Sequence, residues 1–147
     1  VRKGPLGRQP GREPGVVIVA DTSVWVDYLR GVRTAHSLLL NDLLGRKRIV
    51  VGDLVLCEVL RGIASGKEAR RVELLLRECR IMPMVNDILA VEAATNYRVM
   101  RAEGAIVRKT VDLLIGTFCL HHGFDLLHRD RDFDAMERYL GLTVLHP

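Results

Sequence analysis

Short uninterrupted apolar runs, helical repeats that begin at capping residues between them, and a length of 147 residues predict an α/β fold. The expected form is a three-layer sandwich, with helices on both faces of a central, mostly parallel sheet. A chain of this length makes about one ordinary domain, since domains cluster at roughly 100 to 150 residues. Its composition, 48% hydrophobic and 27% charged, is globular and argues against disorder throughout. No apolar run reaches the roughly eighteen residues that a bilayer span needs, so no membrane insertion is expected.

The chain divides at residue 15. Residues 1–15 hold four Gly and three Pro, and Arg2, Lys3, Arg8 and Arg12 against Glu13 supply three of the +4 net charges. Such a segment buries too little apolar area to offset its ordering entropy, and a flexible basic tail is expected. Its charges can attract phosphates weakly, but a solvated terminus without a role is the simpler reading. Residues 16–147 are expected to form the folded domain.

The run 16–20 lacks polar alternation, as a strand covered on both faces should, and stops at Asp21. Thr22 and Ser23 are good capping residues, and Val24, Trp25, Tyr28 and Leu29 recur at helical spacing up to Gly31. A second helical stretch, 36–44, closes at Gly45, and 49–51 is the next strand. Gly52-Asp53 opens a helix with Leu54, Val55, Val59, Leu60 and Ile63 on its apolar face and Glu58 at the margin of that face. The stretch 67–79 is a charged amphipathic helix, and 81–84 reads as a short strand or loop. Asp87 is expected to cap a helix running through Val91, Tyr97 and Met100 to Gly104. Thr110 is expected to cap the apolar helix 111–122, which carries Asp112 in its first turn and stops at Gly123. The strand 125–128 empties into Arg129-Asp130-Arg131-Asp132-Phe133-Asp134, and a last helix near 135–140 precedes Leu142-Thr143-Val144-Leu145.

Ligands of open parallel sheets bind beyond the carboxyl ends of the strands, and Asp21 and Asp130 both follow apolar strands. Glu58 and Asp112 sit on apolar helices. Each has an ordinary reading alone: Glu58 can pair with Arg61, and Asp112 can favour the helix dipole by roughly 0.3 to 1 kcal/mol. Gathered at one cavity they would repel, by roughly 4 kcal/mol for two charges about 4 Å apart at an effective dielectric of about 20. A cation between them, or protons on some of them, would relieve this. An all-oxygen donor set favours magnesium or manganese over zinc, and acidic metal clusters of this kind activate water against phosphodiesters. Cys57, Cys79 and Cys119 form neither a disulfide framework nor a CxxC pair, Cys57 reads as packing, and no secretory leader opens the sequence. A reducing, cytoplasmic setting is expected. His121 and His122 read as capping residues beside Gly123.

The blocks Val-Ile-Val-Ala-Asp21-Thr22-Ser23-Val-Trp, Leu-Cys-Glu58-Val-Leu-Arg-Gly, Thr-Val-Asp112-Leu-Leu-Ile-Gly and Leu-Leu-His-Arg-Asp130-Arg-Asp-Phe resemble, in order and spacing, the four acidic blocks of PIN domains. Within that family the chain is most similar to VapC toxins of bacterial toxin–antitoxin pairs, over about residues 17 to 145. The resemblance implies a Rossmann-like sheet, a magnesium-dependent endoribonuclease over 16–147, a homodimer, and inhibition by a small antitoxin inserted into the acidic groove. It implies that Asp21 and Asp112 hold the ion, that Glu58 completes the site through the ion's water or as a base, and that Asp130 completes the charge on the opposite rim. Thr22 or Ser23 would orient a water or a phosphate oxygen. Arg108, Lys109, Arg129 and Arg131 are candidates to clamp RNA phosphates.

Two departures from the family pattern stand out. Residues 1–15 have no counterpart, and His128 stands where relatives often carry Thr or Ser, two places before the final acid. Asp132 and Asp134 compete with Asp130 for the fourth role. The alternative readings are another acid-pocket phosphoryl enzyme, disfavoured because position 23 is Ser where a companion Asp is needed, and a non-catalytic binding module whose Trp25 and Tyr28 helix accepts a partner.

Overall fold

A computed structural model describes residues 15–147; the expected tail falls outside the described residues except for Gly15. Four short strands, β1 (Ile18–Ala20), β2 (Ile49–Gly52), β3 (Arg80–Met82) and β4 (Asp125–Leu127), form one sheet in the order β3-β2-β1-β4. Every pairing is parallel: Ile18 lies opposite Ile49 and Asp125, and Val50 opposite Arg80. Val144 adds a single parallel bridge to Leu126, extending the β4 edge. β1 and β2 are buried along their whole length, which is why their sequences run apolar without alternation.

Among the described residues the α-helices are α1 (Thr22–Leu29), α2 (Ala35–Gly45), α3 (Asp53–Arg61), α4 (Gly66–Leu76), α5 (Asp87–Ala102), α6 (Thr110–His122) and α7 (Asp134–Leu140). α1 packs on α2 and α3, and α3 on α4, whereas α5 packs on α6 and α7. Right-handed crossovers account for this grouping. The chain steps from β1 to β2 to β3 in one direction, laying α1 to α4 on one face, then returns across β1 to β4, laying α5 to α7 on the other. The expected three-layer sandwich is therefore the observed one.

Helix starts differ from the sequence reading in an instructive way. Asp21, not Thr22 or Ser23, caps α1, Asn86 rather than Asp87 caps α5, and Thr110 is the first helical residue of α6 behind Lys109, whose side chain makes no capping bond. Capping depends on which residue keeps extended backbone angles, and several polar residues in a row leave that open. On the α1 face considered for a partner, Val24 and Trp25 are buried in the core, which withdraws them from any docking surface, while Tyr28 and Leu29 are half-buried. Cys57 is exposed rather than packed, because it lies two positions, roughly 200°, around the helix from buried Val55.

Candidate active site

The return across β1 makes the ends of β1 and β4 the switch point of the sheet, where two neighbouring strands send their connections to opposite faces. Asp21 leaves β1 at this point, 3% exposed. Its carboxylate accepts from the Ser23 backbone N–H at 3.3 Å and the Ser23 hydroxyl at 3.0 Å. Burial raises its pKa, the Ser23 bonds oppose that rise, and the nearby charge of Glu58 adds to it. Glu58, half-buried on α3, accepts a 2.6 Å hydrogen bond from the Thr22 hydroxyl. The hydroxyls of Thr22 and Ser23 thus each donate to an acid of the site, tying α1 to α3 and fixing the Asp21 carboxylate.

Asp112 enters from the first turn of α6, 3% exposed. Burial first, and then the charge of Asp21, push its pKa up to about 7, against the pull of Lys109. A carboxylate is placed here because the α6 run Leu113, Ile115, Phe118 and Cys119 is buried and carries its first turn inward with it. Asp130 follows β4 and opens a 3₁₀ turn (Arg131–Phe133): one of its oxygens accepts from the Asp132 N–H at 2.9 Å and the other from Lys109 Nζ at 2.9 Å. Burial pushes the Asp130 pKa up, but these two donors outweigh it and the net direction is down.

The carboxylates of Asp112, Asp130 and Asp132 each offer an oxygen within 4.8 Å of the others. Asp21 and Glu58 form a second pair beside this triad, coupled to it through the mutual charge of Asp21 and Asp112. Asp132, ranked behind Asp130 in the sequence reading, is brought into the triad by the 3₁₀ turn, and i,i+2 spacing in a turn gives no periodic signal. Asp134 begins α7 and is exposed. The buried Oδ2 atoms of Asp112 and Asp132 have no hydrogen-bond partner; Lys109 Nζ stands 3.4 Å from Asp112 Oδ2, an ion-pair contact long for a hydrogen bond. Buried carboxylate oxygens left bare are costly unless a cation or proton meets them. With donors that are all oxygen, the residues fit a hard divalent ion.

His128, buried behind this turn, accepts the Asp130 N–H on Nδ1 at 3.1 Å and packs its ring on Phe133. Burial lowers its pKa, consistent with the neutral ring that such an acceptor needs. It performs by ring nitrogen the i to i+2 bond that a Ser or Thr hydroxyl could make. The basic residues are distributed differently from the sequence expectation. Arg129 is ion-paired with Asp27 of α1, and Lys109 with Asp130 and Asp112. Arg108 is exposed and makes no ion pair among the described residues. His121 does not act as a terminal cap: it bonds Glu92 of α5 at 2.9 Å, while Gly123, in the left-handed conformation, ends the helix.

Residues 18–139 match the family profile described as PIN domain. The chain is 31% identical over 133 residues to VapC ribonuclease Mb1587 of Mycobacterium bovis and equally to Ribonuclease VapC11 of Mycobacterium tuberculosis, covering 87% of this chain and 97% of each relative. Among solved structures it is similar to FitAcB from Neisseria gonorrhoeae, with a TM-score of 0.70 and 20% identity over 89% of this chain and 98% of that one. VapBC2 from Rickettsia felis, bound to a promoter DNA fragment, gives a TM-score of 0.69 and 16% identity over 88% and 97%.

Proposed function

Because the chain belongs to the PIN-domain family, and within it to the VapC ribonucleases, we propose that it is an endoribonuclease toxin whose acidic site hydrolyses RNA phosphodiesters and is restrained by a cognate antitoxin. The observation that carries this reading is the convergence of Asp112, Asp130 and Asp132, with Asp21 and Glu58 beside them, at the switch point of the sheet.

Asp21 and Asp112 would hold a magnesium or manganese ion, with Asp130 or Asp132 completing its charge. When bound, such an ion lowers the pKa of a coordinated water and neutralises charge on the departing oxygen. Glu58, held by the Thr22 hydroxyl, is placed to orient or deprotonate the attacking water. Ser23 fixes Asp21, and His128 fixes the turn that carries Asp130. Arg108, exposed just before α6, and Arg131, exposed in the turn after Asp130, are the cations free to meet a phosphate; Arg129 serves that end only by leaving Asp27.

The described residues contain no helix long and apolar enough to cross a membrane. The three cysteines are free, as a reducing, cytoplasmic setting would keep them. Homodimerisation is supported by Ile88, Val91 and Val99, exposed on one side of α5. The partner antitoxin is supported by the solved complexes of similar fold, FitAcB and VapBC2 among them. Cleavage of RNA by purified protein with and without EDTA, beside Asp21→Asn, tests the central reading. The expected result is loss of cleavage in both cases with the circular dichroism spectrum retained; full activity of Asp21→Asn or in excess EDTA would refute it.

A further inference from the structure

We propose that Lys109 is a tethered counter-cation of the acid cluster, holding its carboxylates together when no divalent ion is bound and giving way when one binds. This rests on the metal-binding reading of the site. The ammonium stands 2.9 Å from Asp130 Oδ2 and 3.4 Å from Asp112 Oδ2, so a single charge bridges two carboxylates that reach the site from separate elements, α6 and the turn after β4. Asp112 Oδ2 has no other partner.

Magnesium takes oxygen ligands at about 2.0 to 2.1 Å. An ion touching these two oxygens would lie close to the ammonium, and the two cations would repel and compete for the same ligands. Lys109 can leave without disturbing the fold. Its side chain is 59% exposed, only its backbone caps α6, and its flexible stem lets the ammonium swing to solvent. The device makes metal binding an exchange of cations, so the native lysine weakens ion affinity while protecting the metal-free protein from repulsion among its acids.

The test compares wild type, Lys109→Met and Lys109→Arg by Mn²⁺ titration, following the electron paramagnetic resonance of the free ion, and by thermal unfolding in EDTA. Lys109→Met is expected to bind Mn²⁺ about five-fold tighter, a modest figure because the ammonium's side chain is largely exposed, and to unfold at lower temperature in EDTA. That deficit should close at saturating Mn²⁺, and Lys109→Arg should restore both wild-type values. Folded Lys109→Met that binds Mn²⁺ no tighter than wild type overturns the inference and leaves the metal site standing. Failure of all three proteins to bind Mn²⁺ overturns the metal site, and the inference with it.

Discussion

At Asp112, stability and use oppose each other. Its folded pKa of about 7 lies above the ordinary 3.8, so between about pH 4 and pH 7 the folded protein keeps a proton that the unfolded chain has released. That contribution is present at low pH and is lost as pH rises through 7, above which a buried charge faces Asp21. Asp112→Asn should therefore raise the unfolding temperature in EDTA at pH 8 by about 5 °C, raise it less at pH 5, and abolish RNA cleavage. Thermal unfolding at the two pH values checks this, and an Asn variant less stable than wild type at pH 8 would contradict it. Asp21 and Asp130 are legible because each follows an apolar strand, and Glu58 and Asp112 because each sits in an apolar helical run. Asp132 joins the cluster only through the 3₁₀ turn, and His128 departs from the family pattern in residue type while its Nδ1 accepts from the Asp130 N–H. Sequence patterns report burial well and the direction of a lone pair poorly.

The helices do their work through where they begin and how closely they approach. α6 delivers Asp112 and is held against α7 by the absence of a side chain at Gly116, where an added Cβ would collide with the fully buried Met136 thioether. Gly116→Val should lower stability by about 1 to 3 kcal/mol. Adding Met136→Ala should recover part of that loss, so a denaturant-unfolding double-mutant cycle should be non-additive; strict additivity would mean that the two do not share the space. The strands and most helices were readable from periodicity. Helix starts were not, since the choice among Asp21, Thr22 and Ser23, or between Asn86 and Asp87, is made by backbone angles that tertiary packing sets. Cys57 shows the same limit: apolar neighbours in sequence do not tell which side of a helix a residue takes.

For the molecule as a whole, strand order decides where chemistry can happen, and order is a long-range property. Alternating strands and helices foretold a parallel sheet, but that β1 sits between β2 and β4 follows only from the pairing of Ile18 with both Ile49 and Asp125. The exposed α5 stripe belongs to this scale as well. Ile88, Val91 and Val99 are 61%, 67% and 43% exposed, and Val91→Glu should shift a dimer toward monomer in sedimentation equilibrium while the circular dichroism spectrum is retained; a wild-type protein that is monomeric at all concentrations would remove the stripe from that role. The same pairing of β1 with β4 has a bearing on when the acids can come together. Until β4 docks beside β1, Asp130 and Asp132 have no fixed place near Asp21, so assembly of the acid cluster waits on the longest-range strand pairing of the sheet.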